Sequence, residues 1–376
     1  MAERIECTIG DLCSTISDTY KGNDEKVVLV NTSDVLEGKV LNHTAVLNKK
    51  LKGQFKKTFK KYDILYSEIR PANKRFAFVD FENTSNYIAS TKLMVLRHND
   101  KVLPEFLYAI LKSNYVIEEL QHLAETRSGT FPQITFSSEL SPMKVSLPDK
   151  KTQEQIVSVL SSIEQKMDAN VQINNNLEQQ ISALYQSWFE DFDLTDGACP
   201  ENWNNRELST IADISNGKRP PVKAEAYSQE TPFPIVGAAS VMGFTSEANH
   251  ADKILVTGRV GTHGVVQRFN TPCWTSDNTL VIKSFYYEFT NQILQRIDYS
   301  SMNRGSTQPL ITQGDMKKVS VLVPDAETLA KFEAFAGTLM NQWEANKQEN
   351  VKLASLRDTL LPKLMSGELD VSDIDL

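Results

Sequence analysis

The residues best suited to chemistry in this sequence are cations that stand beside glycines and hydroxyl groups. The clearest stretch is GRVGTHGVVQR, which begins at Gly258. In this half of the chain the set comprises Lys218, Arg219, Arg259, Thr262, His263 and Arg268. Arginine and lysine bind phosphate groups and base edges, and glycine-rich tips let the backbone approach phosphate. The set predicts a nucleic-acid-binding surface, although a lone histidine such as His263 is more often an ordinary surface side chain.

The first half carries a related set around Arg70. Its members are Lys56, Lys57, Lys60, Arg70, Lys74 and Arg75. The three lysines belong to KKLKGQFKKTFKK (Lys49–Lys61), which holds seven lysines and no acid. Such a run is equally compatible with a solvated face and with a loop beside phosphate. Arg70 corresponds to Arg259, but Gly261 has no counterpart here and Pro71 stiffens the turn.

A third candidate is a motif that occurs twice, as RSGT at Arg127–Thr130 and as RGST at Arg304–Thr307. A cation, a glycine and two hydroxyl groups are suited to hold a phosphate. The Pro and Ile residues that follow each copy favour a structural turn instead. The turn is the favoured interpretation, and Arg127 and Arg304 are kept as candidate contacts.

The motif is part of a longer repetition. IGDLCSTIS (Ile9–Ser17) matches LSTIADISN (Leu208–Asn216), and YDILYSEIR (Tyr62–Arg70) matches ADKILVTGR (Ala251–Arg259). Each copy continues through short strand-like runs such as Val265–Val266, a helical stretch, the motif and a Pro-Asp pair. One repeat of about half the chain indicates a duplication rather than a solenoid. The pattern predicts two modules of mixed α and β structure, each followed by one long helix.

The long helical segments carry a heptad seam. Between Thr152 and Glu190 there is no proline or glycine, and apolar side chains recur at steps of four and three. The first seam comprises Ile156, Leu160, Ile163, Met167, Asn170, Asn174, Leu177, Ile181, Leu184 and Trp188. The second comprises Phe332, Ala336, Leu339, Trp343, Asn346, Asn350, Leu353, Arg357, Leu360 and Leu364. A single stripe is more often a helix on its own core, but two stripes with matched interruptions predict that the helices pair.

Two asparagines interrupt each seam at equivalent places. A buried amide needs a partner, because leaving it unpaired costs about 1–3 kcal/mol. Asn170, Asn174, Asn346 and Asn350 would therefore fix the register of the pairing at a cost in stability. Their central position suits an antiparallel pair, as a pseudo-twofold arrangement would require. A helix of about 39 residues spans roughly 58 Å, enough to hold two modules about one DNA turn apart.

Bulk composition limits the class of protein. The chain has 376 residues, of which 40% are hydrophobic, and a net charge of −8. These values indicate two or three globular domains and argue against indiscriminate binding to nucleic acid. The sequence has no apolar run long enough to span a membrane and no signal-peptide pattern at its N-terminus. The four cysteines lack metal-binding spacing, and a cytoplasmic location is expected.

The sequence lacks the motifs of enzymes that act on nucleic acid. It has no N-P-P-[FY] tetrapeptide of an amino-methyltransferase and no phosphate-binding loop of a motor. Asp149 with Glu164 and Lys166 imitates a nuclease pattern, but Glu164 lies about 22 Å along the predicted helix. The chain is therefore predicted to be non-catalytic. The alternative to nucleic-acid binding is that the chain is a non-DNA-binding scaffold, which assembles through its coiled coil.

The helices carry a family resemblance. LPDKKTQEQIVSVLSSIEQKMDANVQINNNLEQQISALYQSWFEDF resembles the central conserved region of specificity subunits of type I restriction–modification enzymes, and LRDTLLPKLMSGEL resembles their C-terminal region. LSTIADISNGKRP, GRVGTHGVVQ and WTSDNTLVIK resemble parts of a target-recognition domain. The match covers nearly the whole chain and preserves the order of the parts.

The resemblance implies an α+β protein with two target-recognition domains, separated by two conserved helices that pair as an antiparallel coiled coil. The expected bounds are 1–150 and 193–328 for the recognition domains, 151–192 for the central helix and 329–376 for the C-terminal helix. Each domain would read one half of a bipartite, asymmetric site on double-stranded DNA. The helices, paired through residues that include Leu177, Trp188, Leu353 and Leu360, would set the spacer.

The resemblance also implies partners. Two methyltransferase subunits would dock on the helices, and two motor–nuclease subunits would join them. S-adenosylmethionine, ATP and Mg²⁺ would act in those partners, and this chain would hold no cofactor.

Overall fold

The computed structural model describes residues 4–49, 53–127, 132–302 and 310–371. The chain divides into two compact units. Unit 1 comprises Met1–Ala169 and Glu349–Leu376, and unit 2 comprises Asn170–Gln348. Across the described ranges, no helix combines the length and the apolar character that crossing a membrane requires.

Short strands alternate with a few helices. The helices are α1 (Pro104–Leu111), α2 (Asn114–Arg127), α3 (Lys150–Phe189), α4 (Tyr287–Arg296), α5 (Gln313–Lys317) and α6 (Ala326–Ser366). The strands of unit 1 are β1 (Arg4–Thr8), β2 (Cys13–Ile16), β3 (Lys26–Val30), β4 (Val35–Leu36), β5 (Lys39–Val40), β6 (Ala45–Leu47), β7 (Phe55–Lys57), β8 (Ile64–Ser67), β9 (Phe76–Phe78), β10 (Tyr87–Ser90), β11 (Leu93–His98) and β12 (Lys144–Pro148). The strands of unit 2 are β13 (Asn204–Glu207), β14 (Ala212–Asn216), β15 (Phe233–Val236), β16 (Val241–Thr245), β17 (Ile254–Gly258), β18 (Gln267–Phe269), β19 (Trp274–Thr275), β20 (Thr279–Ser284) and β21 (Ser320–Val323).

Each unit contains a four-stranded antiparallel sheet with the same strand order, β2-β11-β8-β9 in unit 1 and β14-β20-β17-β18 in unit 2. Its two faces build two cores, because successive side chains of a strand point to opposite faces. In β8, Ile64 and Tyr66 pack with the helices while Leu65 packs with a second sheet. In β17, Leu255 packs with the helices and Val256 with the second sheet. Burial on both faces explains why these strands read as continuous apolar runs.

The second sheet also repeats. It has the order β6-β3-β10-β7 in unit 1 and β16-β15-β19 in unit 2. In each unit one pair is parallel, β3 with β10 or β15 with β19, and an antiparallel strand flanks it. The matching topology confirms the predicted duplication into two mixed α/β modules.

Both long helices begin at an aspartate that caps them. The Asp149 carboxylate accepts the N–H of Thr152 at 2.9 Å, and the Asp325 carboxylate accepts the N–H of Thr328 at 3.0 Å. Asp325 also accepts a hydrogen bond from Trp203 Nε1 at 3.0 Å. The bond from Thr328 is the main cause that lowers the pKa of Asp325. The repeated Pro-Asp pair is therefore the start signal of α3 and α6.

Within each unit, a segment of α3 pairs with a segment of α6 through seam asparagines. In unit 2, Asn346 Nδ2 donates to Asn174 Oδ1 at 2.8 Å, and Asn174 Nδ2 donates to the carbonyl of Trp343 at 3.1 Å. In unit 1, Asn350 Nδ2 donates to the carbonyl of Met167 at 3.1 Å. Positions 174 and 350, and positions 167 and 343, each differ by 176 residues. The same amide-to-carbonyl bond therefore occurs in both units and holds the predicted seam in register.

The seam is antiparallel within unit 2. Asn174 meets Asn346 near the middle of the helices, whereas Trp188, further along α3, lies 6.0 Å from the ring of Phe332 near the start of α6. The other predicted register residues are buried or half-buried: Asn170, Leu177, Leu353 and Leu360. The helix pairing expected from the heptad pattern is confirmed.

Candidate nucleic-acid interface

The predicted contact residues of unit 2 gather at one end of its four-stranded sheet. Because neighbouring strands are antiparallel, the C-terminal ends of β14 and β17 lie beside the N-terminal ends of β20 and β18. We call the loops at this end, residues 216–219, 259–266, 276–278 and 310–313, the unit 2 loop end. It contains five of the cationic or polar residues that the sequence singled out in this half, Lys218, Arg219, Arg259, Thr262 and His263.

Backbone hydrogen bonds fix these loops on the sheet. The N–H of Arg259 donates to the carbonyl of Asn278 at 2.8 Å, and the N–H of Lys218 donates to the carbonyl of Thr275 at 2.9 Å. The carbonyl of Arg259 accepts the N–H of Ile311 at 3.0 Å. The loop end is thus a rigid scaffold that presents side chains.

Two glycines allow the loops to approach closely. A Cβ on Gly258 would lie 1.8 Å from the carbonyl oxygen of Thr262, and one on Gly217 would lie 2.0 Å from that of Ser276. Gly261 has a φ of +84°, which a residue with a side chain rarely adopts. The glycines of this stretch therefore shape the tip rather than contribute chemistry.

Arg259 and His263 carry unused hydrogen-bonding capacity. Arg259 Nε and His263 Nε2 are buried, and neither has a hydrogen-bond partner in the described part of the chain. His263 Nδ1 lies 3.2 Å from the carbonyl oxygen of Gly258, which orients the ring. Arg259 Nε and His263 Nε2 are inaccessible, so they mark how tightly the tip is packed, and they do not themselves offer a contact. Arg259 and His263 are half-buried as residues and stay candidate contacts because of their place at the tip.

The other predicted contact residues of the unit 2 loop end are open to solvent. Lys218, Arg219 and Thr262 are exposed. Trp274 Nε1 donates to the carbonyl of Lys218 at 2.7 Å and so holds the backbone of that loop. Trp274 and Asn278 support the site without having been singled out individually in the sequence, although the stretch WTSDNTLVIK contains both.

Arg268 is already bound inside the protein. Its guanidinium forms two hydrogen bonds to the buried Glu288 carboxylate, at 2.7 and 2.8 Å. Lys253 contacts the same carboxylate at 3.1 Å, and the Arg268 guanidinium lies 4.9 Å from the centre of the Tyr287 ring. These contacts favour a structural role for Arg268, although its assignment as a DNA contact stays a prediction.

The equivalent end of unit 1 gathers Lys56, Arg70 and Lys74. We call residues 17–20, 54–58, 68–75, 90–92 and 132–134 the unit 1 loop end. The carbonyl of Lys56 accepts the N–H of Tyr20 at 2.8 Å, and the N–H of Arg70 donates to the carbonyl of Pro132 at 3.2 Å. Lys56, Arg70 and Lys74 are exposed, so their cationic groups face solvent at this end.

Two of these cations have positive φ angles, which in the unit 2 loop end occur at the glycines Gly261 and Gly264. Arg70 has a φ of +45° and Lys74 a φ of +51°. The left-handed region costs a residue with a side chain roughly 1–2 kcal/mol. The intervening turn is held from outside, because the N–H of Ala72 donates to the Gln121 side chain of α2 at 3.1 Å. Such strain commonly marks a functional loop.

Other predicted cations of unit 1 support the fold or stand elsewhere. Arg75 Nη1 donates to two backbone carbonyls at 3.1 and 3.4 Å. Lys57 Nζ donates to two others at 3.1 and 2.7 Å, and burial lowers the pKa of Lys57. Lys60 is exposed but precedes β8, whereas Arg70 follows it, so a strand of about 13 Å separates them. Lys92, which the sequence did not single out, lies in the loop end and contacts Glu68 at 3.6 Å.

The repeated motif falls mostly outside the described residues, which exclude 128–131 and 303–309 and hence Arg304. Arg127 ends α2 and pairs with Glu139 at 3.1 Å. Beyond each motif a threonine hydroxyl caps a short helical turn, Thr135 accepting at 3.3 Å and Thr312 at 3.1 Å. These caps agree with the structural-turn interpretation of the flanking residues, and the phosphate contact of the motif stays a prediction.

The residues that imitate a nuclease pattern have structural partners. Asp149 caps α3, and the Glu164 carboxylate pairs with Lys112. Within the described ranges, no group of three or more histidine, cysteine, aspartate or glutamate side chains is placed to hold a metal ion.

Comparison with known proteins agrees with the resemblance. Residues 6–179 and 200–353 match the model of the type I restriction modification DNA specificity domain. The specificity subunit of the type I restriction enzyme HindI from Haemophilus influenzae is 30% identical, over 98% of this chain and 100% of its own length. The MjaIX specificity subunit from Methanocaldococcus jannaschii is 26% identical, over 73% of this chain and 71% of its own length.

The fold also has a match among solved structures. The S subunit of a type I restriction–modification system from M. genitalium is 18% identical and covers 97% of this chain and 96% of its own, with a TM-score of 0.53. At this identity the likeness concerns the fold alone. The comparisons give no support to the scaffold alternative.

Proposed function

The chain belongs to the family of type I restriction–modification specificity subunits, and from this we propose that its two units read the two halves of a split DNA sequence. The observation that carries the proposal is the pair of equivalent loop ends. Each places cations at the end of a sheet that is buried on both faces, Lys218, Arg219 and Arg259 in unit 2 and Arg70 in unit 1. In unit 1 the strand β7 of the second sheet adds Lys56, whose carbonyl accepts the N–H of Tyr20 in the loop that follows β2.

The side chains of the two loop ends favour different half-site sequences. Arg259 offers the fixed donor fork that pairs with the O6 and N7 acceptors of guanine. In unit 1 the corresponding Arg70 is followed by Pro71 and the left-handed Lys74. The Arg70 side chain is therefore attached to a backbone turn of a different shape from that at Arg259. A duplicated fold with unlike tips suits an asymmetric target.

The helices and partners complete the proposed function. The paired helices set the gap between the half-sites and dock two methyltransferase subunits, and two motor–nuclease subunits complete the enzyme. This chain supplies recognition and no catalytic group. S-adenosylmethionine, ATP and Mg²⁺ act in the partner subunits.

Mapping of methylated adenine tests the proposal. The chain is expressed with the methyltransferase subunit of its own system in a host that lacks the modification. We expect a split motif with two short specific parts and a fixed gap. As a control, the same methyltransferase is expressed with another specificity subunit that it accepts. No new methylation beside an active control would overturn the proposal and favour a scaffold.

A further inference from the structure

In unit 2, one carboxylate of the long helix α6 holds the start of a recognition-domain helix. Glu333 Oε2 accepts the N–H of Glu288 at 3.1 Å, and Glu333 Oε1 accepts the N–H of Phe289 at 2.8 Å. These amides belong to the first turn of α4, and the residue before it, Tyr286, offers no side-chain cap. Glu333 takes the place of that cap, and its charge suits the positive end of the helix.

In unit 1, an amide of the long helix α3 has the same task. Gln153 Oε1 accepts the N–H of Leu103, the residue before α1, at 2.9 Å. Gln153 Nε2 donates to the carbonyls of Lys101 at 3.2 Å and Pro148 at 2.9 Å. Leu103 offers no side-chain cap of its own, and Gln153 is 1% exposed. The oxygen and both N–H groups of the Gln153 amide thus form hydrogen bonds that join the helix to the recognition domain.

The two residues are not copies of one ancestral position. With the repeat of 176 residues, Glu333 corresponds to Val157 rather than to Gln153. The units therefore reach the same connection with different residues, one charged and one neutral.

Apolar packing alone would leave the helix free to shift. Phe289 packs against the rings of Tyr185, Phe189 and Phe332, with centres 5.6, 5.0 and 6.2 Å away. Burial of apolar area is non-directional and the geometric preference of an aromatic pair is modest, about 0.5–1.5 kcal/mol, whereas hydrogen bonds weaken steeply when their geometry changes. A slip of one residue along a helix shifts contacts by about 1.5 Å and turns them by roughly 100°. The polar bonds therefore select one position among several that the apolar surface would tolerate.

The held helix is in turn joined to the sheet of the loop end. The backbone N–H of Glu288 donates to Glu333. The side chain of the same residue binds Arg268 of β18 at 2.7 Å and Lys253, which precedes β17, at 3.1 Å. Arg259 directly follows β17. A continuous set of polar contacts thus runs from α6 through α4 to the strands that carry the recognition tip.

We propose that Gln153 and Glu333 are positioning residues, which fix each recognition domain on its long helix and so make the protein reject DNA sites whose spacer has the wrong length. This inference rests on the proposed function, because it assumes that each domain reads one half-site.

The test uses the complete chain with its methyltransferase subunits and a set of DNA duplexes. The duplexes keep both half-sites and vary the spacer by one base pair in either direction. For Glu333→Ala, the preference for the native spacer is expected to fall about tenfold, as the loss of charge-assisted hydrogen bonds implies, with the half-site sequences unchanged. Glu327→Ala is the matched control, because Glu327 pairs with Lys331 on the surface of the same helix, at 2.7 Å.

Two further variants separate positioning from folding. Glu333→Gln keeps one of the two acceptor oxygens and is expected to restore part of the spacer preference relative to Glu333→Ala. Gln153→Leu tests unit 1 independently and is expected to relax the spacer in the same way. Hydrogen exchange should show faster exchange at the amides of Glu288 and Phe289 in Glu333→Ala, while strands β17 and β20 stay protected.

Equal loss of methylation at every spacer length would overturn the inference, because a residue that only stabilises the fold predicts that result. If Glu333→Ala loses protection from hydrogen exchange throughout unit 2, that variant is unfolded, and the spacer preferences of Glu333→Gln and Gln153→Leu test the inference instead. An unchanged spacer preference in Gln153→Leu would then overturn the inference. A wild-type complex that methylates no split site would instead overturn the proposed function itself.

Discussion

Arg259 and Arg268 lie on the same β17–β18 hairpin but in opposite environments. Arg268 is bound to a buried carboxylate on both of its forked nitrogens. Arg259 Nε is buried with no hydrogen-bond partner in the described ranges. The difference comes from Glu288, which reaches one arginine and not the other.

Replacing Arg259 should change the specificity of one half-site. For Arg259→Ala we expect discrimination at one or two positions of a single half-site to weaken by roughly 10- to 100-fold, which corresponds to about 1–3 kcal/mol for one bidentate base contact. Methylation of a randomised site library measures the change. An equal loss across unrelated sequences would make Arg259 a phosphate contact instead.

Arg268→Ala is the matched control for the same hairpin. It leaves the Glu288 carboxylate buried with only Lys253 nearby, so we expect unfolding to become easier by roughly 3 kcal/mol or more. Arg259→Ala removes a buried nitrogen that has no partner in the described ranges, so it should not lower the unfolding midpoint in denaturant. Similar stability losses in both variants would contradict this division of roles.

Asp325 should make stability depend on pH in the acid range. The pKa of Asp325 is lowered, chiefly by the N–H of Thr328 that donates to it. The unfolded chain therefore binds the proton more tightly, and stability is lost as pH falls below the ordinary pKa of an aspartate and through the lowered pKa of the folded state. Thermal unfolding of Asp325→Asn should show less loss in this range. Glu327→Gln, which removes the same charge from the surface of α6, should behave as the wild type.

At the scale of elements, the seam amides should show coupling. Asn174→Leu alone removes the acceptor of Nδ2 of the buried Asn346, whose Oδ1 still accepts from Gln342. We therefore expect a loss of about 1–3 kcal/mol in the free energy of unfolding. Asn174→Leu with Asn346→Leu removes both amides and should recover most of the loss. Denaturant unfolding of the two single variants and the double variant gives the coupling energy. Additive losses would show that the Asn174–Asn346 bond contributes nothing specific.

Charges placed in the seam should break the helix pairing itself. Leu177 is 9% exposed and Leu353 is half-buried. We expect Leu177→Asp with Leu353→Asp to disrupt assembly with the partner subunits, while each recognition domain keeps its base preference. Size-exclusion chromatography of the co-expressed complex measures the assembly. An unchanged complex would contradict a role for these side chains in the pairing.

The sequence predicted elements best where a pattern is local. The predicted helix Thr152–Glu190 differs from α3 by two residues or fewer at either end, because heptad spacing and the Pro-Asp start signal are both local. The strand predicted at Val265–Val266 begins instead at Gln267. Gly264, with a φ of +80°, continues the loop up to that point. Strand order came only from the structure, because register depends on distant partners.

The candidate site was predicted less completely, for a physical reason. Residue types placed cations near the loop ends, and glycine spacing located the unit 2 tip. The sequence could not show that the side chains of Arg75 and Lys57 donate hydrogen bonds to backbone carbonyls, because tertiary contacts determine which side chains are buried and which groups they bond. The sequence did not predict the roles of Gln153 and Glu333, because nothing in the sequence of their helices distinguishes them from other polar residues.

For the whole molecule, binding to DNA should be strongly salt-dependent despite the net charge of −8. Each phosphate contact lowers the logarithm of the binding constant by about 0.9 per logarithm of salt concentration. If Lys56, Arg70, Lys218, Arg219 and Arg259 all contact phosphate, the slope should be roughly −4 to −5. Each contact that reads a base instead makes the slope shallower. Titrations at several salt concentrations measure it, and a flat response would favour protein–protein scaffolding.

The way in which α3 and α6 contribute to both units decides what a single break in the chain would do. The segment 193–199, between α3 and β13, is exposed. After a cut there, the N-terminal fragment would still supply Tyr185 to the core of unit 2, and the C-terminal fragment would supply Leu361 to that of unit 1. The core of each unit would then need residues from both fragments. The nicked protein would become an obligate pair of fragments whose stability rises with concentration.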